Sequence, residues 1–233
     1  MIYETVYNSY RSADEINTSM ANVYKHMSLA VFTSMLVSYF VGTTPELLQF
    51  FFTGVLHYVV IFLPLIAIMG ITVALNSNPP KHIALLMLHG FAAIMRLSFA
   101  TIFAVYTMGS IVSAFMSSGI LFAVMSIYGY FTKRSLDGLG QFMFIGLIAI
   151  VIASIINIFI GSTVMQMVIS ILAIIIFLGL TAYDTQQIRE SVSVEGADWM
   201  AVEIMGAVTL YLDFMNLFIN LLQLIGVAPS KDD

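Results

Sequence analysis

Two aspartates stand out because each lies inside or at the edge of a long apolar run and has no basic residue next to it in sequence. Asp184 lies in the run 180–186, and Asp213 lies in the run 210–216. An ionisable side chain at membrane depth is costly, so it is by default a candidate functional residue. Because the two runs belong to consecutive hydrophobic segments, we expect the two carboxyl groups to form a pair.

The chemistry of such a pair is acid–base and cation-binding chemistry. Two close carboxyl groups at low dielectric cannot both ionise freely, so one proton would be shared between them. The pair would therefore respond to pH without a histidine. Once deprotonated, its oxygens are the hard ligands that calcium prefers. We interpret Asp184 and Asp213 as a pH sensor, an ion pathway and a transient calcium site, and we predict no catalytic residue.

The composition places these aspartates in a membrane protein. Of the 233 residues, 60% are hydrophobic and 9% are charged, whereas soluble domains have about 45–50% apolar and about 25% charged residues. No water-soluble architecture hides that much apolar surface, so we expect an all-α integral membrane protein. The absence of cysteine excludes disulfides and thiolate metal sites. No basic cluster suggests nucleic acid, and nothing predicts a cofactor.

The spans follow from the length of the apolar runs. A bilayer core of about 30 Å needs roughly 20 apolar residues per helix, and seven runs qualify: 27–41, 48–75, 83–106, 110–131, 140–160, 164–187 and 199–227. The expected organisation is a polar tail over 1–24, a seven-helix transmembrane domain over 25–227 and a short polar tail over 228–233. Asp184 belongs to the sixth span and Asp213 to the seventh.

The distribution of basic residues predicts the orientation. With seven spans, six lysines and arginines lie on the side of the N-terminus and one lies on the opposite side: Arg11, Lys25, Lys81, Lys133, Arg134 and Arg189 against Lys231. This excess places the N-terminus in the cytoplasm. If the seventh segment re-enters instead of crossing, the C-terminus would also be cytoplasmic.

The seventh segment carries a polar face. Six small or polar residues recur at spacings of 3, 4, 3, 4 and 3, which puts them on one side of a helix: Gly206, Thr209, Asp213, Asn216, Asn220 and Gln223. We interpret this face as the wall of a wet pathway or cavity. The alternative is a seam between packed helices. In either case the face cannot contact lipid, so we expect this helix to be central.

Arg96 is the cation within the predicted spans, on the third segment. One interpretation is a permanent counter-ion to one of the two aspartates. The other is a latch, in which the bond between the arginine and a carboxylate breaks when a pathway opens. The residues leave both interpretations open.

Three blocks resemble the bacterial branch of the Bax inhibitor family: 126–134, 180–186 and 205–218. The likeness covers about residues 25–227. It implies a seven-helix fold in which the other six helices wrap the last one. It also implies a pH-sensitive calcium leak, governed by two aspartates at the positions of Asp184 and Asp213, in the inner membrane if the chain is bacterial. The family's latching arginine lies on the second helix, but 48–75 contains none, so Arg96 either replaces it or silences the pair.

Two rival functions come from other classes. A non-conducting regulator of other membrane proteins, such as a membrane-bound AAA protease, agrees with the resemblance. An intramembrane aspartyl protease also uses two aspartates on adjacent helices, and Tyr183-Asp184 matches its first motif. Its second motif reads Gly-x-Gly-Asp, whereas this chain has Leu210-Tyr211-Leu212-Asp213. We therefore expect a non-enzymatic protein whose partners are the bilayer, calcium ions, protons and, on the regulator hypothesis, other membrane proteins.

Overall fold

The regular elements of the computed structural model are helices. It describes residues 11–54, 56, 60, 66–67, 69–71, 73–74, 79–98, 100–195 and 198–227. The helices with described ends are α1 (Ala13–Gly42), α2 (Pro45–Phe52), α3 (Lys81–Ser98), α4 (Ile102–Val105), α5 (Met108–Phe131), α6 (Asp137–Ile160), α7 (Thr163–Ser193) and α8 (Trp199–Ile225). Much of the predicted second span 48–75 and the whole tail 228–233 lie outside the described residues.

Four of these helices, α5 to α8, are long and apolar enough to cross a membrane. Helices α1 and α2 pass the same test only as a pair, and their axes differ by 97°. The described residues thus contain four candidate spans, or five if the bent pair is one span. The prediction of an all-α membrane protein is confirmed at this level, and α5 to α8 coincide with the last four predicted spans.

The structure differs from the expected segments near the N-terminus and in the third segment. Helix α1 begins at Ala13, because Ser12 and Glu15 form a capping box, and residues 13–24 extend the helix into the expected tail. The third segment is interrupted: α3 ends at Ser98 and the chain resumes in α4. Between them, Ala100 is fully buried, and its carbonyl oxygen would lie 2.6 Å from a Cβ at Gly42.

Helix α8 is the most buried of the four candidate spans. It packs against α1, α3, α5 and α7. The Tyr211 hydroxyl and Ser34 Oγ are 2.7 Å apart, and Ser34 Oγ donates to the Ala92 carbonyl at 3.2 Å, so one polar chain joins α8, α1 and α3. On the α5 side, the rings of Phe115 and Phe214 pack edge to face at 5.4 Å.

Helix α6 has a different environment. Its outward residues include Phe142, Ile158 and Phe159, which are 70–85% exposed, as expected for a helix that faces lipid. Its inner side packs on α7, where Gly140 lies against the Tyr183 ring. Between α6 and the buried α8, the structure leaves a cavity that contains the two predicted aspartates.

Candidate functional site

The structure brings Asp184 and Asp213 together. Asp184 lies on α7 and Asp213 lies in the middle of α8, and the two helices form an extensive contact. The two side chains lie close enough for their carboxyl groups to interact directly. A hydrogen bond between two carboxyl groups requires a proton on one of them. A pair that shares one proton in this way would carry a single negative charge.

The two carboxyl groups differ in burial. Asp213 is only 4% exposed, whereas Asp184 is half-buried. The Oδ2 atom of Asp213 is buried and has no hydrogen-bond partner. A buried acceptor without a donor costs on the order of 1–3 kcal/mol. The site therefore contains an unsatisfied oxygen that a proton, a cation or an N–H group would satisfy.

Both carboxyl groups lie at the wall of a cavity of about 690 Å³ between α6, α7 and α8. Its remaining wall is largely apolar, with side chains such as Phe144, Leu147 and Leu180. Thr209 and Asn216 of α8 lie beside Asp213 in the same wall. The predicted polar face of the last helix thus lines a cavity along its middle portion.

A second cavity of about 250 Å³ lies between the C-terminal part of α7 and the N-terminal part of α8. Asp184 and Thr209 line both cavities. Gln187 and Ser191 contribute to the smaller cavity only. Asp184 and Thr209 therefore lie between the two cavities, whereas Asp213 lines the larger cavity and not the smaller one.

The other members of the polar face have different roles. Asn216 donates to the Leu212 carbonyl and Asn220 donates to the Asn216 carbonyl, each at 2.8 Å, so both amides bind their own helix. Gln223 accepts from Gln166 Nε2 at 2.9 Å, which ties it to α7. The face lines the large cavity near Asp213 and packs on α7 near Gln223.

The latch hypothesis falls on a side chain outside the described residues, because only the backbone of Arg96 is described. Among the described side chains, no lysine or arginine takes part in the interactions of Asp184 or Asp213. His89, on the same helix, is 3.0 Å from Thr33 Oγ1 of α1 and belongs to a packing contact. The role of Arg96 stays a prediction.

Sequence reasoning missed Gln186, two residues after Asp184. Its side chain is 4% exposed. It accepts from the Leu136 N–H at 2.8 Å and donates to the Arg134 carbonyl at 2.9 Å. These bonds fix the turn between α5 and α6 to α7. The sequence signal for this role is weak, because an amide at the end of the stretch 180–186 carries no charge.

Sequence reasoning also missed a contact between Arg11 and the C-terminal end of α7. The Arg11 guanidinium donates to Ser19 Oγ and to the Val192 carbonyl, at 2.9 and 3.0 Å. It also lies 4.0 Å from the ring centroid of Trp199 at the start of α8. The start of the described chain is thereby attached to both helices that carry the aspartates.

The calcium interpretation can be compared with the available ligands. Within the described ranges, no three histidine, aspartate or glutamate side chains converge on a point that could hold a metal ion. Calcium takes six to eight oxygen ligands, whereas the pair offers at most four carboxylate oxygens. A calcium ion at this pair would keep several water ligands.

The fold and the site define a class of protein: a helical membrane protein with a pair of carboxyl groups between α7 and α8. The profile of the family described as "Inhibitor of apoptosis-promoting Bax1" matches residues 16–230, and the chain belongs to this Bax inhibitor family. The resemblance inferred from the three sequence blocks is confirmed.

Several bacterial proteins are similar over nearly their whole length. The "Inner membrane protein YbhL" of Escherichia coli K12 is 32% identical over 215 residues, which cover 91% of this chain and 92% of the relative. An uncharacterised membrane protein of Streptococcus pyogenes serotype M1 is 35% identical over 217 residues, covering 91% and 93%. The protein YrjE of Lactococcus lactis is 31% identical over 230 residues, covering 95% of each.

Proposed function

We propose that this chain is a pH-sensitive calcium leak, in which the protonation state of the Asp184–Asp213 pair controls a route between the two cavities. The observation that supports the proposal is the direct interaction of these two carboxyl groups, together with the position of Asp184 in the walls of both cavities. The protein acts without catalysis, and calcium and protons are its cargo and its signal.

The control follows from the charge on the pair. With one shared proton, the hydrogen bond joins α7 to α8 and the pair has a single negative charge. Loss of that proton leaves two carboxylates in contact, which repel each other and attract a divalent cation. Addition of a second proton removes the charge and with it the attraction for calcium. Each change alters the contact between the last two helices.

The architecture proposed for this activity has seven spans, with the other six around the last helix. The packing of α8 against α1, α3, α5 and α7 supports this arrangement. The N-terminus is cytoplasmic by the excess of basic residues on its side. The inner membrane is the proposed location, in agreement with the name of the Escherichia coli relative.

The test is calcium flux into liposomes that contain the purified protein, measured across a range of pH. We expect a pH-dependent flux in the wild type, and loss of its pH dependence in Asp213→Asn, because an amide cannot share the proton. Glu190→Gln is the matched control, since Glu190 is an exposed carboxylate on α7 outside both cavities. Its flux profile should follow the wild type.

The direction of the pH response distinguishes two ways in which protonation could control the calcium flux. Flux that rises with pH indicates that the ionised pair is the cation site. Flux that falls with pH indicates a latch, in which a cation such as Arg96 holds an ionised carboxylate in the closed state. The calcium proposal is wrong if flux is absent at every pH or unchanged in Asp213→Asn. Cleavage of a membrane peptide that this substitution abolishes would instead favour the aspartyl protease.

A further inference from the structure

The large cavity has the size and the apolar wall of a site for an organic molecule. Its volume of about 690 Å³ lies within the roughly 300–1,000 Å³ of small-molecule binding sites. Most of its wall is apolar, including two phenylalanine rings, Phe144 and Phe177. A hydrated calcium ion gains nothing from such a wall. An organic molecule with an apolar body would bury that body there.

The polar groups of the cavity are concentrated at the carboxyl pair and the α8 residues beside it. The pair has a single negative charge while it holds one shared proton, which matches one monovalent cation. Asp213 Oδ2 is a buried acceptor without a donor, and a group with N–H bonds would satisfy it. A protonated amine supplies both the charge and the donors, and charge-assisted hydrogen bonds are among the stronger ones in proteins.

The cavity can be reached from the bilayer. Val151 and Phe144 of α6 line the cavity and are also 50% and 59% exposed on the surface of the chain. They belong to a helix whose outer surface is apolar, so the opening beside them faces lipid. A molecule with an apolar body concentrates in the bilayer and would enter along this side.

From the apolar wall, the charge of the pair and the unpaired oxygen, we propose that this cavity binds a protonated amphiphilic amine. The ammonium group lies on Asp184 and Asp213, and the apolar body lies against α6. The binding does not depend on calcium passage, although an amine in this position would block any route past the pair.

The experiment is calorimetric titration of the protein in nanodiscs with naphthylethylamine, near neutral pH, after subtraction of empty nanodiscs. Naphthylethanol is the uncharged comparator, and the trimethylammonium analogue keeps the charge without N–H donors. We expect saturable binding of the amine, and binding of both comparators at least about tenfold weaker, as the loss of a charge-assisted hydrogen bond predicts.

Three variants locate the site. Asp213→Asn should weaken amine binding at least about tenfold, and Asp184→Asn, at the less buried position, makes the same test if the first variant does not fold. Val151→Trp should weaken it by filling the cavity from α6. The control Glu190→Gln removes an exposed carboxylate from α7, the helix of Asp184, and should change the affinity by less than about twofold.

Equal binding of the amine and the alcohol would overturn the inference, because the cavity would then be a non-specific apolar site. Undiminished amine binding by both aspartate variants would also overturn it. Calcium flux measured on the same preparations separates the two proposals. Amine binding without any calcium flux would support the amine site and overturn the calcium leak. Calcium flux without amine binding would support the leak and overturn the amine site.

Discussion

At the level of single residues, the candidate site is explained by the free-energy cost of burying a charge and by the contact between the two aspartates. An aspartate in an apolar run was predictable as a functional residue because burial of a charge is expensive. Asp213 was predictable as the partner of Asp184, because burial of its charge on the next segment is equally expensive. The unpaired Asp213 Oδ2 and the bonds of Gln186 depend on side-chain geometry, which residue types alone do not contain.

Gln186→Met tests the neutral amide that sequence reasoning missed. Methionine has a similar volume but leaves the Leu136 N–H and the Arg134 carbonyl without their partner. We expect a loss of about 1–3 kcal/mol in the free energy of unfolding, because unsatisfied buried groups cost that much. Reversible unfolding in mixed micelles measures it.

Gln187→Met is the control, since Gln187 is half-buried and binds Asp137 in an exposed contact. Its effect should stay below about 0.5 kcal/mol, as for ordinary surface substitutions. If both variants lose the same stability, the bonds of Gln186 do not fix the turn between α5 and α6.

At the scale of elements, hydropathy located the last four helices but not their full lengths. The predicted span 164–187 is α7, which continues to Ser193. Hydropathy reports which residues prefer lipid, whereas a helix continues as long as its backbone bonds and its packing permit. The same limit explains α1, whose polar first turns are held by the capping box at Ser12.

Gly129→Ala tests the crossing of α5 and α7. A Cβ added at Gly129 would overlap the Ala182 carbonyl oxygen of α7. Because that oxygen belongs to the backbone, the helices must move apart, and we expect a loss of about 1–3 kcal/mol, as in other overpacked sites. Thermal unfolding in detergent shows it as a lower midpoint.

Gly119→Ala is the matched control on the same helix, since no atom lies within 4 Å of a Cβ at Gly119. Alanine favours the helix over glycine by up to about 1 kcal/mol, so this variant should be neutral or more stable. Equal destabilisation by both substitutions would mean that the crossing tolerates a side chain at Gly129.

At the scale of the whole molecule, the class of protein was the most secure inference. A chain with 60% hydrophobic and 9% charged residues has to place most of its surface in lipid, whatever the order of its helices. Orientation is a weaker inference, because it depends on the number of spans. It can be tested directly since the chain contains no cysteine.

Single cysteines at Lys133 and Thr163 test the orientation. Lys133 lies between α5 and α6, Thr163 begins α7, and both are exposed. With a cytoplasmic N-terminus, an impermeant maleimide added to spheroplasts should label Thr163→Cys at once and Lys133→Cys only after permeabilisation. The opposite pattern would invert the proposed topology, and labelling of both without permeabilisation would show that α6 does not cross.

Residue types and their order were enough to predict the membrane class, the last four spans and the two candidate aspartates, because each depends on the free energy of transferring residues from water into lipid. The family followed from the three sequence blocks. Three further features required the tertiary structure: the contact between the two carboxyl groups, the position of Asp184 between two cavities, and the division of the polar face into cavity wall and helix seam. These depend on how closely the consecutive helices α6, α7 and α8 approach one another, which is set by side-chain volumes and by contacts such as that of Gly140 with the Tyr183 ring.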